Sequence, residues 1–371
     1  MIAGEPFSRI LSLVAVTHNL KHWYMRDNNT SPRYTLTGCN WELTLRCTLN
    51  CMHCGSRAGH ARPDELSIEE CFKVADELVA LGCRELTMIG GEVFLYKGWD
   101  RLSEYLTNKG MAVNIVTNGY RIGDAEIEQI KRAKLINVGV SIDGMAVNHN
   151  TIRERNDAFL HIQQTLELLK KNEISVCAVT SLMKQNCDDL EELYRFLLEH
   201  GVEVWQLQLV SAMGNMADRD GYVVTREQVR EVIDFIRDKN RDRQMVVVAA
   251  DSIGYFDENE AYIRGRSSPI CCWGGCSAGI TGVFIDSVGN VKGCGALYAD
   301  HFIEGNVRQT PLAEIWNNEN AFAYNRKFTT DMLSGLCEGC DVGSECQGGC
   351  RSSNYFSTDS LYSSAYCCRS R

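Results

Sequence analysis

Seven short apolar runs alternate with amphipathic stretches between about residue 40 and residue 250 of the chain. The runs are rich in Val, Ile and Leu, as strands buried on both faces of a parallel sheet are. The predicted strands are Trp41–Leu45, Glu85–Ile89, Val113–Thr117, Ile136–Ile142, Ile174–Leu182, Val204–Val210 and Met245–Ala249. Repeated strand and helix units predict a parallel α/β sheet or barrel.

The stretches between the strands carry helix start signals. Ser67 with Glu70, and Thr225 with Gln228, each match a capping box, which predicts a helix beginning just after Ser67 and another just after Thr225.

Chemically distinctive segments lie at the ends of the first four strands. They are residues 46–54 (RCTLNCMHC), 90–92 (GGE), 117–119 (TNG) and 141–144 (SIDG). Because the carboxyl ends of parallel strands meet at one face of such a fold, these segments are expected to share one mouth.

The composition changes after about residue 265, where helical patterns give way to loops rich in Gly and Cys. One hairpin is predicted there, from Gly282–Ile285 through a turn to Val291–Cys294. This part of the chain is predicted to be a second domain that metal ligation holds together.

Length and charge exclude several classes of protein. The 371 residues suffice for two or three domains. A net charge of −10 and a hydrophobic content of 44% disfavour disorder and nucleic-acid binding. No run approaches the roughly 18 apolar residues of a membrane span, and Ile10–Val16 lacks a signal cleavage site, so it is expected to be a buried helix or strand. A cytoplasmic protein without nucleic-acid or membrane partners is expected.

The 18 cysteines carry the strongest chemical signal. Disulfide frameworks belong to small secreted domains that lack a core, whereas this chain is long enough to form one, so metal ligation is favoured. Cys47, Cys51 and Cys54 lie close together near the start of the chain, and ten cysteines lie between Cys271 and Cys368.

The C-x3-C-x2-C spacing of the first group can hold three irons of a [4Fe–4S] cube, leaving the fourth iron without a protein ligand. Zinc is the alternative. Structural zinc sites usually have four protein ligands, and only His53 and His60 could supply a fourth nearby. The spacing therefore favours a cluster with an open, reactive iron.

This cysteine loop, together with the order of the strand-end segments, resembles the radical S-adenosylmethionine (SAM) enzymes. The resemblance implies a partial (β/α)6 TIM-like barrel in which the amino and carboxylate groups of SAM chelate the open iron. It further implies reductive cleavage of SAM to methionine and a 5′-deoxyadenosyl radical, which abstracts hydrogen from an unactivated C–H bond. The chain departs from the family pattern at His53, where an aromatic ring usually stands, and at Val93, where a proline often follows GGE.

The resemblance also implies contacts to SAM. The glycines of the GGE segment would allow close backbone approach, and Glu92 would receive the amino group. Ser141 would hold the methionine carboxylate or the ribose, Arg153 the same carboxylate, and Asn118 lies near the expected ribose edge. The implied cofactor-binding residues are Gly90, Gly91, Glu92, Asn118, Ser141 and Arg153.

The later cysteines resemble those of the SPASM domain of the same superfamily, which binds two further [4Fe–4S] clusters. By that resemblance the inner auxiliary cluster takes Cys276, Cys294, Cys350 and one of Cys271 or Cys272. The outer auxiliary cluster takes Cys337, Cys340, Cys346 and one of Cys367 or Cys368. A pair of zinc ribbons is the alternative. The predicted organisation is an N-terminal extension (1–36), a barrel (37–250), and a bridging region with the loop-rich SPASM domain (251–371).

SPASM-bearing members mostly modify ribosomally made peptides, so the resemblance implies a peptide substrate that undergoes crosslinking or epimerisation. Formylglycine formation is disfavoured because Gly295 follows Cys294, where sulfatase-maturing members carry an Asp. The other functions considered are maturation of a protein or small-cofactor precursor, electron transfer without radical catalysis, and a metal-stapled binding scaffold.

Two kinds of partner are expected besides the substrate. One is a reductant such as flavodoxin or ferredoxin. The other is a separate leader-peptide-binding protein, unless the barrel mouth and the cluster domain recognise the peptide themselves, because the N-terminal extension is shorter than the roughly 40 residues of a self-standing fold.

Several residues are candidates for the catalytic roles that these reactions need. Cys177 in the fifth strand and Cys187 at a helix start are candidate hydrogen donors for an epimerase, and the helix N-terminus is expected to lower the pKa of Cys187. Asp251, just past the seventh strand, and the pair Asp218 and Asp220 are candidate bases. Buried structural cysteines and solvated loop carboxylates are the alternatives.

Overall fold

A single sheet of ten strands runs through the part of the chain that the structure, a computed structural model, describes: residues 34–250, 253–255, 259–264, 273–367 and 369. The strands are β1 (Gly38–Glu42), β2 (Glu85–Ile89), β3 (Ala112–Thr117), β4 (Asn137–Ser141), β5 (Val176–Leu182), β6 (Val204–Leu209), β7 (Val246–Ala249), β8 (Gly282–Ile285), β9 (Asn290–Lys292) and β10 (Gly305–Asn306). Their order in the sheet is β10-β9-β8-β1-β2-β3-β4-β5-β6-β7.

Strands β1 to β7 are parallel to their neighbours and follow one another in chain order. The predicted parallel α/β architecture is thereby confirmed, and the open strand order is that of a partial barrel. The predicted hairpin also forms, since β8 and β9 are antiparallel. The sequence did not predict that β8 pairs parallel with β1, which makes the hairpin part of the barrel sheet.

Strand β1 begins and ends three residues earlier than predicted. The regular pairing of β1 with β2 stops at Glu42 and Ile89. Beyond that point, the chain that follows β1 pairs with the turn that follows β2. The N–H of Gly91 donates to Thr44 O (2.7 Å), and the N–H of Glu92 donates to Arg46 O (2.8 Å). The apolar run at 43–45 is thus buried without lying in a strand.

The described residues contain twelve α-helices, of which the first seven connect successive strands of the parallel sheet. They are α1 (Ile68–Ala80), α2 (Trp99–Asn108), α3 (Asp124–Ala133), α4 (Ala146–Arg153), α5 (Ala158–Lys171), α6 (Leu190–Glu199), α7 (Arg226–Asp242), α8 (Glu260–Ile263), α9 (Leu312–Asn317), α10 (Ala323–Arg326), α11 (Gly343–Cys346) and α12 (Arg351–Thr358). Both predicted capping boxes are confirmed, at Ser67 before α1 and at Thr225 before α7.

The two faces of the strands differ in chemistry. Side chains that point outward, such as Trp41, Leu86, Ile115, Val140 and Leu207, are buried in the main core against the helices. Alternate side chains face the barrel lumen, because side chains in a strand point to opposite faces in turn. The half-buried lumen residues are Asn40, Thr87, Ile89, Val116, Ser141, Val179, Ser181, Gln206 and Gln208.

The C-terminal part of the chain docks on the barrel through charged contacts. The guanidinium of Arg308 donates to both carboxylate oxygens of Glu70 on α1, at 2.6 and 3.0 Å. The N–H at Leu312, where α9 begins, donates to Glu77 of the same helix. These contacts lie beside the β1–β8 pairing and fix the same two parts of the molecule together.

Residues 1–33 lie outside the described residues, so the N-terminal extension (1–36) and the buried element expected at Ile10–Val16 stay predictions. The predicted boundary at residue 250 also stays a prediction, although the sheet continues across it through β8. None of the helices in the described ranges combines the length and the apolar character that a membrane crossing needs.

Candidate functional site

The three cysteines of the first loop converge on one pocket at the carboxyl ends of β1 to β4. The pocket encloses about 590 Å³ and is open on one side. Its lining residues are Cys47, Leu49, Cys51, His53, Cys54, Ala58, Ile89, Gly90, Gly91, Val116, Thr117, Asn118, Ser141 and Arg153. The strand-end segments that were expected to share one mouth therefore do so.

Each of the three thiols accepts a hydrogen bond. The N–H of Leu49 donates to Cys47 Sγ (3.5 Å), the N–H of Ala58 donates to Cys54 Sγ (3.3 Å), and Arg153 Nη1 approaches Cys51 Sγ at 3.7 Å. Such donors stabilise sulfur in its thiolate form. Burial raises the pKa of the Cys51 thiol to about 11 even though the charge of Arg153 lowers it, so the thiol needs a metal to ionise at neutral pH.

The thiol geometry suits a cluster better than a single ion. Among the described residues, no three His, Cys, Asp or Glu side chains lie close enough together to hold one metal ion. A [4Fe–4S] cube spaces its thiolates further apart than one zinc ion does, because each thiolate binds a different iron. The chain therefore fits the cluster that the resemblance implies, with Cys47, Cys51 and Cys54 as the proposed ligands.

The GGE segment forms a turn that leaves no room for side chains. A Cβ atom on Gly90 would lie 2.5 Å from Thr44 O, and one on Gly91 would collide with Arg46 O. The glycines thus let the turn pack against the strand of the cysteine loop, and both of them line the pocket.

Glu92 lies behind the pocket wall. Its side chain is only 4% exposed and accepts from Thr117 Oγ1 (2.9 Å), from the N–H of Asn118 (2.9 Å) and from the N–H of Phe94 (3.4 Å). A carboxylate has about four acceptor positions, so one remains for an amino group. Burial raises the pKa of Glu92 to about 7, although these donors lower it.

Arg153 at the end of α4 is the cation of the pocket wall. It is 6% exposed, and Nη2 pairs with Asp143 Oδ2 at 2.7 Å. Its Nε is buried and has no hydrogen-bond partner. A buried N–H group without a partner is costly unless a ligand completes it, so the residue fits the carboxylate of SAM.

Asp143 connects Arg153 to the cysteine loop. Besides the ion pair with Arg153, its Oδ2 accepts from His53 Nε2 (2.7 Å), and its Oδ1 accepts from the N–H of Ser181 (2.9 Å). Although burial raises the pKa of Asp143, Arg153 and His53 together hold it well below its usual range. One buried carboxylate therefore orients two side chains of the pocket wall, one of which replaces the aromatic ring common in the family.

Asp143 belongs to the SIDG segment, and no role for it was predicted from the sequence. The signal was present, because a carboxylate two residues after Ser141 continues the strand-end motif. The pairing of Asp143 with Arg153, ten residues later, and with His53 on a different loop was not predicted from the sequence.

Replacing Asp143 by Asn should destabilise the protein by about 3–5 kcal/mol, because it leaves the buried Arg153 without a counter-charge. The affinity for SAM should fall as well, since Arg153 and His53 lose their common support. Urea unfolding and SAM binding measure the two effects.

A matched control is Asp189→Asn, because Asp189 accepts only from neutral groups, the N–H of Met145 (2.7 Å) and Asn148 Nδ2 (3.0 Å). We expect this control to cost less than half as much. Equal losses in the two variants would contradict the ion-pair explanation.

The remaining SAM-contact candidates line the pocket with differing neighbours. Ser141 ends β4 and is half-buried. The side-chain amide of Asn118 points toward Cys47 Sγ (3.6 Å) and Thr48 Oγ1 (3.4 Å) rather than into open space. Asn118 therefore supports the cysteine loop, and a contact from it to the ribose stays a prediction.

The outer auxiliary set of cysteines surrounds a second pocket, of about 350 Å³. Four cysteines line it, namely Cys337, Cys340, Cys346 and Cys367. Four thiols around one pocket fit a [4Fe–4S] cluster fully ligated by protein. We propose Cys367 as the fourth ligand on this placement, whereas Cys368 lies outside the described residues.

The inner auxiliary set converges through shared neighbours. Tyr324 interacts electrostatically with both Cys276 and Cys294, and Arg351 does so with Cys276 and Cys350. The predicted fourth ligand, Cys271 or Cys272, lies outside the described residues. The three cysteines that are described fit one side of a cluster.

The two candidate hydrogen donors lie away from the first pocket. Cys177 is buried on the lumen side of β5 among Val204, Val246 and Val248. It lies near the start of β5, at the opposite end of the strand from the mouth of the barrel. The thiol of Cys187 donates to Met183 O (3.3 Å). Burial raises the pKa of both thiols to about 12, so the expectation of a lowered pKa at Cys187 was wrong: desolvation outweighs the helix terminus.

The candidate bases receive little geometric support. Asp251 lies outside the described residues and stays a prediction. Asp218 is exposed, and the backbone of Asp220 begins a short 3-10 helix that ends at Tyr222.

A parallel partial barrel with three thiols and a GGE turn at its mouth defines the radical SAM class of protein. Residues 41–197 match the profile of the radical SAM superfamily, and residues 276–341 match that of the SPASM iron–sulfur cluster-binding domain. The chain therefore contains a radical SAM domain and a SPASM domain, and its cofactors are iron–sulfur clusters and SAM.

The individual relatives are distant from this chain in sequence. The AdoMet-dependent heme synthase of Methanosarcina barkeri is 27% identical over 338 residues, which cover 88% of this chain and 95% of that protein. The mycofactocin maturase MftC of Mycolicibacterium smegmatis is 28% identical over 321 residues, 85% of this chain and 78% of MftC. SuiB of Streptococcus suis, solved with its precursor peptide SuiA, matches the fold with a TM-score of 0.66 at 17% identity, covering 89% of this chain and 75% of SuiB.

Proposed function

We propose that this protein is a radical SAM maturase that removes hydrogen from a ribosomally made peptide and leaves a crosslinked or desaturated product. When bound, SAM and its cluster supply the radical that takes a hydrogen atom, and the auxiliary clusters supply acceptors for the electron of a net oxidation. The observation that carries the peptide substrate is the chemistry of the barrel lumen.

Apart from Glu42 on β1 and Glu85 on β2, the lumen side of strands β1 to β6 carries neutral polar and apolar side chains. Gln208 Nε2 donates to Ser181 Oγ (3.1 Å), and Gln206 Nε2 approaches Gln208 Oε1 at 3.4 Å, which forms a row of amides and a hydroxyl beside Ser141. Amides and hydroxyls both donate and accept, so they match the alternating N–H and C=O groups of an extended peptide.

The same lumen is poorly suited to a tetrapyrrole, the substrate class that the heme synthase relative suggests. Strands β1 to β8, as described, contain neither Lys nor Arg, and Lys292 on β9 donates to Tyr298 O (2.8 Å). The carboxylates of a tetrapyrrole would then meet few strand-borne counter-charges, which is costly. The fold itself can accommodate a peptide, since SuiB was solved with one.

Two observations favour net oxidation over the other peptide reactions. An epimerase needs a thiol near the reacting carbon, and neither Cys177 nor Cys187 lines the pocket of the cysteine loop. The formylglycine route needs an Asp after Cys294, but a Cβ at Gly295 would lie 2.5 Å from the Phe284 ring. A side chain there would force the ring to move.

The pocket residues have roles that follow from their contacts. Arg153, held by Asp143, binds the carboxylate of SAM, and Glu92 accepts from its amino group. Burial of both groups excludes water, which strengthens these contacts. A one-electron donor such as flavodoxin or ferredoxin is proposed as the reductant, and a separate leader-binding protein as a further partner.

The test is incubation of the reconstituted enzyme with reductant, SAM and the short peptide encoded beside its gene. We expect a mass loss of about 2 Da that depends on SAM, together with 5′-deoxyadenosine. Cys177→Ala and Cys187→Ala should leave both products unchanged, because neither thiol takes part.

Other outcomes would overturn the proposal at different levels. An unchanged mass with one solvent deuterium in the peptide, lost in either Cys→Ala variant, would replace oxidation by epimerisation. An unchanged peptide alongside SAM-dependent turnover of an iron tetrapyrrole would refute the peptide substrate and leave only the radical chemistry.

A further inference from the structure

Arg351 is a fully buried cation in the SPASM region. It begins α12 directly after Cys350 and is 0% exposed. Its Nε donates to Asn325 Oδ1 (2.8 Å), and its Nη1 donates to Leu361 O (3.1 Å) and to Gln347 O. Its Nη2 is buried and has no hydrogen-bond partner.

Two other buried guanidiniums each have a carboxylate beside them. Arg153 pairs with Asp143, and Arg264 pairs with Glu260 at 2.8 Å. Within the described ranges, no Asp or Glu forms a salt bridge with Arg351. A buried charge of this kind needs a compensating charge of opposite sign.

Arg351 lies between the two auxiliary sets of cysteines. It directly follows Cys350 of the inner set, and its Nη1 donates to the backbone oxygen of Gln347, which follows Cys346 of the outer set. Thiols that ligate a cluster are deprotonated, so metal loading would place negative charge on both sides of this one guanidinium.

We propose that Arg351 is a positioning residue that supplies a counter-charge shared by the two auxiliary clusters and raises the reduction potential of both. Reduction adds negative charge to a cluster, and a nearby cation in a low-dielectric interior stabilises that added charge. The inference rests on the proposed pair of auxiliary clusters but not on the identity of the peptide.

The test replaces Arg351 by Met, which keeps the length and removes the charge. The full chain is used with Cys47, Cys51 and Cys54 replaced by Ala, so that the auxiliary clusters hold the remaining iron. Iron and sulfide are counted, and the clusters are then titrated anaerobically with EPR detection.

The parent and Arg351→Met are compared at equal iron content and at the potential where the parent clusters are half reduced. There the ratio of reduced to oxidised cluster should be about tenfold lower in Arg351→Met than in the parent. This corresponds to a shift of about 59 mV for a one-electron couple. Arg351→Lys should restore most of the parent potential. An unchanged potential in Arg351→Met would overturn the proposal.

Arg326→Met is the matched control. Arg326 is also buried, but it donates to the carbonyls of Gly279 (2.7 Å) and Trp316 (2.8 Å), so its loss should leave the potentials unchanged. If Arg351→Met loses its iron, Arg351→Gln is titrated instead, and the same fall is expected. Loss of iron from both Arg351→Gln and Arg351→Lys would indicate a packing role and overturn the proposal.

Discussion

Protein in which Cys47, Cys51 and Cys54 are all replaced by Ala should lose about a third of its iron and all cleavage of SAM. The reason is that the three thiols converge on one pocket and are proposed to hold one of three clusters, with about four irons in each. Iron and sulfide analysis of anaerobically reconstituted protein, and chromatography of 5′-deoxyadenosine, measure the two losses.

Cys83→Ala serves as the control for this substitution. Cys83 is equally buried, but it lies in the main core and its thiol donates to Glu85 O (3.3 Å). The Cys83→Ala protein should keep the full iron content and the full activity. Stoichiometric zinc with little iron in the parent protein would contradict the cluster assignment as a whole.

Glu92→Gln should keep all the iron but weaken SAM binding by roughly one to two decades, because it removes a charge-assisted hydrogen bond worth about 1.5–3 kcal/mol. The substitution preserves the shape of the side chain, which three protein donors already hold. Unchanged affinity would show that Glu92 only supports the turn and does not bind the amino group.

The raised pKa of Glu92 also predicts how binding depends on pH. In the free pocket this carboxyl has a pKa of about 7, raised by burial, so it is mostly neutral below that pH. A bound amino group that donates to the carboxylate favours the ionised form, so the affinity for SAM should rise with pH up to about 7 and then level off. Below pH 7 it should fall by roughly tenfold per unit.

Glu85→Gln is the matched control for this pH dependence. Burial also raises the pKa of Glu85 to about 7, but Glu85 begins β2, at the opposite end of the strand from the GGE turn. This variant should keep the parent pH profile, whereas Glu92→Gln should abolish it. A profile that persists in Glu92→Gln would assign the titration to another group.

Much of the fold follows from local sequence signals. The capping boxes at Ser67 and Thr225 place two helix starts correctly, because a cap involves residues only three apart. The predicted bounds of β1 were wrong because Leu43 and Leu45 are as apolar as strand residues, while Thr44 between them pairs through its backbone oxygen with the turn at Gly91. Such a pairing depends on a distant part of the chain and leaves no periodicity in the sequence.

The residues of the site likewise fall into those that the local sequence predicts and those that depend on distant parts of the chain. Spacing alone predicted that Cys47, Cys51 and Cys54 act together, since they share one loop. The role of Asp143 could not be predicted, because its contact with His53 joins residues 90 positions apart. The pKa of Cys187 was also mispredicted, because burial depends on what packs over the thiol and not on its neighbours in sequence.

The pairing of β8 with β1 has a consequence for how a substrate reaches the lumen. Gly38 to Trp41 of the barrel are hydrogen-bonded to the strand that leads into the cluster-binding region, and Arg62 ties Glu42 to Ser287 just beyond it. A hinge motion along this seam would break the continuous hydrogen bonding between β1 and β8 and expose the ion pair of Arg62 with Glu42. The lumen is therefore held at a fixed width along this seam, which limits the bulk of the residues of the proposed peptide that can pass there.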